Sequence, residues 1–274
     1  MLFRSEVPSH RIEVPSGVDS LLAVGGGSAI DTAKAASSET GLPLVSVPTT
    51  YSGAEWTTYY GVRDPQRKMR GGGAGASPRG IVYEPELTLG LPRETTVGTA
   101  MNALAHCAEA LYVDAHNADA DAHALAGAPL IGTWLPRVVE APGDLVARTE
   151  LLRGACHAGA ALGGSGLALA HAMAQAVGGR YGLPHGTLNG ICLPPALRWN
   201  AQWAPEAVER FRDALGRDVE ELAALGGATR LRDLGVPEAD LPELAEAAAG
   251  RAGNRANPRP ATASEIEALL RSVW

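Results

Sequence analysis

Cysteine, basic clusters and long apolar runs are scarce in this chain of 274 residues. The three cysteines, Cys107, Cys156 and Cys192, form no CxxC pair. They are typical of small buried side chains in a reducing compartment, and we predict none of them to be catalytic. Lysine and arginine total 23 against 30 acidic residues, with no basic cluster that would follow a phosphate backbone. We therefore expect no nucleic-acid partner.

No apolar stretch approaches the roughly 18 residues that a membrane span needs. The first residues, Met1 to Pro8, also lack the apolar run of a secretory signal. We therefore expect a soluble, cytoplasmic protein without a membrane partner. What the chain does have is 46% apolar residues, enough to fill the core of one large domain or two modest ones.

The secondary-structure patterns change near residue 91. Short apolar runs predict buried strands at Leu21–Val24, Leu44–Val47 and Ile81–Tyr83. Stretches of helical composition or period predict helices at Ala29–Ser38, Ala100–Val113, Ala118–Val139 and Leu145–Ala161. The first helix lies between two strands and so predicts a βαβ unit of a parallel sheet, whereas everything after about Leu91 is predicted to be helical.

Two polar turns follow the first two predicted strands. Gly25-Gly26-Gly27-Ser28 lies at a helix start, where exposed N–H groups and the helix dipole favour an anion. Thr49 and Thr50 follow the second strand, at the sheet edge where α/β proteins bind ligands. The turns predict a site for a nucleotide phosphate; the alternative is a tight strand-to-helix turn capped by Ser28.

Three histidines and an asparagine form the candidate catalytic cluster. Asn102 and His106 are four residues apart on a predicted helix and therefore share a face. His171 and His185 flank a glycine-rich connection that lets both imidazoles point into one cavity. The remaining histidines are expected to be ordinary core or surface residues: His10, His116, His123 and His157.

The asparagine bears on whether this cluster binds a metal ion. Three histidines with a carboxylate would suit iron or zinc, but Asn102 is neutral and a weak ligand. We therefore predict no metal, while keeping open a site in which Asn102, His106, His171 and His185 are the ligands. Without a metal, a histidine would supply the proton donor that stabilises a carbonyl oxygen receiving hydride.

On these motifs the chain resembles the iron-containing (group III) alcohol dehydrogenase superfamily, and within it the maleylacetate reductases. The matching stretches are Gly25–Lys34, Pro48–Thr57, Val82–Pro92, Met101–Tyr112, His171–Pro194 and Asn257–Pro260. The asparagine at position 102, the Thr50-Tyr51-Ser52-Gly53 turn and the Asn-Pro-Arg-Pro segment favour the maleylacetate reductase branch.

The resemblance implies a dehydroquinate synthase-like architecture: a partial Rossmann-like parallel sheet in residues 1–91, then an all-helical catalytic domain in residues 92–274. It implies NAD(P)H-dependent reduction of maleylacetate to 3-oxoadipate in aromatic catabolism, and a homodimer. It also implies that the cofactor, NAD(H) or NADP(H), contacts Gly26, Gly27, Ser28, Asp31, Thr49, Thr50, Lys68 and Leu87.

In this interpretation His106 or His185 delivers the proton, and Arg180 or Arg198 would pair with the carboxylate of a small carboxylic acid substrate. Two departures from the family pattern keep alternatives open. The family has further strands and helices before residue 1, so either the sequence is a truncated gene model or the protein has lost half of a dinucleotide fold. Ala170, Gln175 and Gly186 also differ from the residues usual in maleylacetate reductases. The alternatives are a metal-dependent alcohol dehydrogenase and a non-redox, cofactor-free relative.

Overall fold

A computed structural model describes residues 13–64 and 68–274. It describes residues 62–64 and 68–71 by their backbone alone. The strands are β1 (Leu21–Gly25), β2 (Pro43–Pro48), β3 (Tyr60–Asp64), β4 (Lys68–Gly73) and β5 (Ser77–Ile81). The helices are α1 (Gly27–Thr40), α2 (Arg93–Ala110), α3 (Ala118–Glu140), α4 (Leu145–Ser165), α5 (Leu169–Tyr181), α6 (His185–Asn200), α7 (Pro205–Leu215), α8 (Val219–Ala224), α9 (Leu241–Ala249), α10 (Ala252–Arg255) and α11 (Ala263–Ser272).

Strands β1, β2 and β5 form a parallel sheet in the order β1-β2-β5. Helix α1 connects β1 to β2, and Ile30 on it packs with Ala23 and Leu44 in a small core. The predicted βαβ unit is confirmed. The third strand of the sheet, β5, ends at Ile81, whereas the predicted strand begins there. The prediction was misplaced because Pro78 and Gly80 are unfavourable in strands.

Strands β3 and β4 form an antiparallel hairpin that the sequence did not predict. The hairpin is rich in glycine, and it pairs Tyr60 with Gly73 and Gly61 with Gly72. Glycine is depleted in strands, so a run of three glycines at 71–73 gave no strand signal. In the chain, both strands lie between β2, which ends the βαβ unit, and β5.

The helical part is built around α2, which is buried along almost its whole length from Thr96 to Ala110. Helices α3, α4 and α6 pack around it. Small residues allow these helices to approach closely: a Cβ on Gly154 of α4 would lie 3.0 Å from the Cβ of Leu130 on α3. The predicted fold class, an α/β part followed by a helical part, is confirmed. The predicted division between residues 91 and 92 stays a prediction.

The segment from Ala54 to Tyr59 is held in place by Lys34 of α1. The buried ammonium donates to the carbonyl oxygens of Ala54 and Tyr59 at 2.8 and 2.6 Å and to Thr57 Oγ1 at 2.9 Å. It also pairs with Asp31 at 2.7 Å. Burial lowers the pKa of Lys34, with the Asp31 carboxylate opposing that shift. The contacts fix the chain that follows the second polar turn.

Within the described ranges, no helix combines the length and the apolar character that crossing a membrane would require.

Candidate active site

The two polar turns lie against each other. A Cβ on Gly26 would lie 2.9 Å from Thr50 Cγ2, and one on Gly27 would lie 3.1 Å from Ser52 Oγ. The amide of Thr49 donates to the carbonyl of Gly25 at 2.9 Å. A side chain at Gly26 or Gly27 would therefore push the turns apart, so the glycines permit this approach.

Two hydroxyl groups in the second turn have no partner. Thr50 Oγ1 and Ser52 Oγ are buried, and neither forms a hydrogen bond with the described part of the chain. The adjacent helix α1 begins at Gly27, and its N-cap, Gly26, has no side chain to satisfy the first amides. Orphaned hydroxyls beside a free helix N-terminus suit the oxygens of a phosphate group. These residues fit a nucleotide cofactor.

Four other residues predicted to contact the cofactor lie in three different elements: Ser28, Asp31, Lys68 and Leu87. Ser28 lies in the first turn of α1, and Leu87 lies 44% exposed in the short 3-10 helix Pro85–Thr88. The carboxylate of Asp31 is engaged within the chain: it accepts from the Gly61 amide at 3.1 Å and pairs with Lys34. The side chain of Lys68 lies outside the described residues. For all of them, contact with a cofactor stays a prediction.

The structure brings His106, His171 and His185 together. The rings of His106 and His171 stack with centroids 4.8 Å apart and planes inclined by 11°. The rings of His171 and His185 are 5.6 Å apart and tilted by 49°. His171 lies in the first turn of α5 and His185 is the first residue of α6, so the glycine-rich connection does end one helix and begin the next.

Asn102 lies at the centre of the cluster. Its Nδ2 donates to the Ser52 carbonyl at 2.8 Å and lies 3.4 Å from His106 Nε2. Its Oδ1 accepts from Asn189 Nδ2 at 2.6 Å and lies 3.2 Å from His171 Nε2. The amide thus links the second polar turn to the histidines, and both of its ends are already engaged.

Asn189 completes this network, although the sequence analysis did not identify it. Its Nδ2 lies 3.0 Å from His185 Nε2, and its Oδ1 is buried without a partner in the described structure. One signal was available: Asn189 follows His185 by four residues on α6, the same spacing that joins Asn102 to His106 on α2.

Glu109 is a second residue that the sequence analysis missed. Its carboxylate is fully buried and lies 2.6 Å from His171 Nδ1. It also accepts from the backbone amides of Ala168 and His171, at 2.7 and 3.2 Å. The carboxylate therefore holds both the ring of His171 and the start of α5. Its spacing of three residues from His106 places it on the same side of α2.

The cluster favours neutral imidazoles at two positions. Burial lowers the pKa of His106 well below its usual value, with the neighbouring rings of His171 and His185 adding to the effect. Burial lowers the pKa of His185 to about 3, helped by His171 and Arg251. His106 Nδ1 is buried and without a partner among the described residues. Because Asn102 Nδ2 faces Nε2, we assign the ring proton of His106 to Nδ1, where it is free to be donated.

The second polar turn reaches the cluster directly. A Cβ on Gly53 would lie 3.3 Å from both Nδ1 and Cε1 of His106. Gly53 has a φ of 77°, a left-handed conformation that glycine adopts without strain. The turn that carries the buried hydroxyls of Thr50 and Ser52 therefore lies against the edge of the His106 ring that carries Nδ1.

Comparison with known proteins assigns the chain to a family. The family model described as Fe-containing alcohol dehydrogenase family, C-terminal, matches residues 96–274, and the one described as iron-containing alcohol dehydrogenase matches residues 13–85. The chain belongs to the iron-containing alcohol dehydrogenase family. It is therefore an oxidoreductase, in a family of nicotinamide-dependent enzymes that often contain iron.

Within the iron-containing alcohol dehydrogenases, the chain is similar to maleylacetate reductases. It is 40% identical to that of Burkholderia cepacia, over 94% of this chain and 74% of the relative. The crystal structure of a putative alcohol dehydrogenase from Ralstonia eutropha JMP134 shares 40% identity and a TM-score of 0.86, over 94% of this chain and 75% of that one. The maleylacetate reductase of Rhizobium sp. strain MTP-10005 shares 33% identity and a TM-score of 0.85, with the same coverage of both chains.

The donor set of this family member does not fit a metal ion. In the described part of the chain, no group of three or more His, Cys, Asp or Glu side chains is arranged to hold one. The position between the histidines that would take a carboxylate is Asn102, whose Oδ1 already accepts from Asn189. The nearby carboxylate of Glu109 is engaged by His171 and two backbone amides.

The two arginines considered for the substrate are engaged in ion pairs. Arg180 pairs with Glu243 and Asp240, and Arg198 is half exposed and pairs with Glu220 at 2.5 Å. Such surface pairs leave little reason to assign either guanidinium to a substrate. A different arginine, Arg251, contributes to the lowered pKa of His185, and no pattern in the sequence singles it out.

Proposed function

We propose that this enzyme is a nicotinamide-dependent maleylacetate reductase. The observation that supports the proposal is the closeness of Gly53 to His106, because the second polar turn, our candidate for phosphate binding, then adjoins the imidazoles. A cofactor whose phosphates lie between the turns would have its reactive ring within reach of the histidine cluster. The similarity to several maleylacetate reductases supports the substrate and favours neither alternative, the metal-dependent alcohol dehydrogenase or the non-redox relative.

The cofactor, NADH or NADPH, would be held by the orphaned groups of the two turns. The α1 N-terminus at Gly26 and Gly27, with the hydroxyls of Thr50 and Ser52, would receive the phosphate oxygens. When bound, the dihydronicotinamide supplies a hydride to the carbon of the substrate's C=C bond that lies farther from the ketone.

The chain's own residues would then stabilise the charge that this addition creates. The electron pair of the double bond moves onto the ketone oxygen as an enolate, and a proton added to the adjacent carbon gives 3-oxoadipate. A neutral imidazole N–H can donate to the enolate oxygen. His106 Nδ1, to which we assign the ring proton, is buried and has no partner among the described residues. His106 and His185 are the candidates for the proton transfer.

The proposed reaction needs no metal ion. Asn102 brings no negative charge to the histidines, and its amide oxygen is held by Asn189. We assign Asn102 the role of orienting two histidines: its Nδ2 contacts His106 and its Oδ1 contacts His171. We further propose a cytoplasmic homodimer, which size-exclusion chromatography with light scattering would check.

A cofactor titration followed by a substrate assay tests the proposal. NADH and NADPH are each titrated by nicotinamide fluorescence, and maleylacetate reduction is then followed by the loss of nicotinamide absorbance. We expect saturable binding and turnover that survives a chelator. Failure to bind millimolar cofactor would overturn the proposal, and turnover that requires stoichiometric iron or zinc would favour the metal-dependent alcohol dehydrogenase.

A further inference from the structure

The guanidinium of Arg251 lies beside the histidine cluster. Arg251 precedes α10, and its Nη1 and Nη2 donate to the Oε1 and main-chain oxygen of Gln175, at 3.3 and 3.1 Å. Gln175 is one helical turn after His171 on α5. The positive charge of Arg251 also contributes to the lowered pKa of His185. The contact with Gln175 therefore places the guanidinium beside the residue that lies one helical turn after His171.

One N–H group of this guanidinium has no acceptor among the described residues. The Nε of Arg251 is buried and has no hydrogen-bond partner in the described structure. Nε and Nη2 present two parallel N–H bonds on the same edge, the arrangement that matches the two oxygens of a carboxylate. The residue as a whole remains partly exposed.

Arg251 has no carboxylate counter-ion among the described residues, although it is partly buried. Arg180, Arg198 and Arg271 each pair with a carboxylate, whereas Arg251 pairs with none in the described ranges. Burial is the cause of its lowered pKa, and no anionic neighbour offsets that shift. A partly buried cation is costly unless a counter-ion, an anionic ligand or neutral acceptors satisfy its N–H groups.

Arg148 shows the contrasting case of a buried arginine with a structural role. It is also without a carboxylate, but its Nε donates to the Pro142 carbonyl at 3.1 Å. Its Nη1 donates to Tyr51 Oη and Thr96 Oγ1, both at 3.2 Å. Nε of Arg148 therefore has a neutral acceptor within the fold, whereas Nε of Arg251 has none among the described residues.

We propose that Arg251 binds a carboxylate of the substrate through its Nε and Nη2 edge. It would thereby determine the preference for oxo-carboxylic acids over uncharged carbonyl compounds. This inference rests on the proposed function and specifies which residue recognises the acid. The two contacts with Gln175 hold the guanidinium in place.

The test compares Arg251→Gln with Arg255→Gln on two substrates. Arg255 is an exposed arginine four residues later, at the end of α10, and it donates to the Gly250 carbonyl. It serves as the matched control. The substrates are maleylacetate and an uncharged aldehyde. For Arg251→Gln we expect KM for maleylacetate to rise about 10- to 100-fold, the value of a charge-assisted pair, with KM for the aldehyde within about twofold.

Binding measurements separate a recognition role from a structural one. NAD(P)H affinity and Tm are expected to stay near the wild-type values in Arg251→Gln. Adipate, a dicarboxylate that cannot be reduced, is expected to raise the Tm of the wild type and of Arg255→Gln but not that of Arg251→Gln. If Arg251→Gln does not fold, Arg251→Lys keeps the charge without the two-donor edge, and its maleylacetate KM is expected to rise selectively.

The outcomes distinguish the two proposals. A wild-type enzyme that reduces the aldehyde but not maleylacetate overturns the proposed function itself. A wild-type enzyme that reduces maleylacetate, with an unchanged KM in Arg251→Gln or Arg251→Lys, overturns only the role of Arg251. An equal loss with both substrates would assign Arg251 to the fold instead of to recognition.

Discussion

The Nδ1 atom of His171 lies 2.6 Å from a carboxylate oxygen of Glu109, and both side chains are buried. The same carboxylate accepts two backbone amides at the start of α5. It therefore fixes the orientation of the ring and the position of the helix that carries it.

Replacing Glu109 with glutamine tests that relationship. Glu109→Gln keeps the shape but offers one acceptor oxygen where the carboxylate offers two, so at least one buried donor loses its partner. We expect a loss of about 1–3 kcal/mol in the free energy of unfolding, and a fall in kcat of about 10- to 100-fold from a misplaced His171. Chemical denaturation and steady-state kinetics measure the two effects. The control is Glu150→Gln, which removes a surface pair with Arg153 and should cost less than about 1 kcal/mol.

Asn102→Asp is expected to create a metal site. The change adds the missing carboxylate next to three histidines and removes the donor that contacts the Ser52 carbonyl. Metal analysis of protein equilibrated with iron or zinc should find about one ion per chain in the variant and far less in the wild type. Asn117→Asp, at the N-cap of α3, is the control because aspartate caps a helix as well as asparagine does. Equal metal content in wild type and Asn102→Asp would contradict the prediction.

Removing the Thr50 hydroxyl should weaken cofactor binding without weakening the fold. Thr50 Oγ1 is buried and has no partner within the described ranges, so Thr50→Val removes an unsatisfied group from the interior. We expect Tm to stay equal or rise, while the Kd for NAD(P)H increases about tenfold through a lost phosphate contact. Thr40→Val, at the far end of α1, is the control for the same side-chain change. A Thr50→Val enzyme with unchanged cofactor affinity would place the phosphate elsewhere.

Acid should destabilise the protein before its carboxylates titrate. The pKa of His185 is lowered to about 3 in the folded state, so between that pH and the ordinary value near 6.5 the unfolded chain binds the extra proton. The stability that this group contributes is complete above about pH 6.5 and is lost as the pH falls toward 3. The lowered pKa of His106 acts in the same direction. Tm should therefore fall between pH 6.5 and 5, and the double variant His106→Gln, His185→Gln should show a shallower slope.

The parts of the structure that sequence could predict depend on local spacing. Asn102 and His106 share a face of α2 because four residues make about one helical turn, and the predicted helix at Ala118–Val139 agrees with α3 to within a residue at its end. The glycine turn at Gly26 was recognisable because it lies between an apolar strand and a helix.

The parts that sequence could not predict depend on contacts between distant segments. Glu109 reaches His171 across 62 residues, and Arg251 reaches Gln175 across 76. An arginine among many in the chain carries no local sign that its partner is a glutamine 76 residues away. The β3–β4 hairpin was missed for a different reason, since its glycines offer little strand propensity and its pairing alone defines it.

The four contacts of Lys34 have a consequence for how this chain can vary. Three of them end on atoms of the 54–59 segment, two of which are main-chain oxygens that any amino acid would supply. The course of that segment is therefore specified from a position 20 or more residues earlier, on another element. Substitutions at Ala54 or Tyr59 can be accommodated as long as the carbonyls keep their places. Replacing Lys34 would instead remove all three contacts with the 54–59 segment at once.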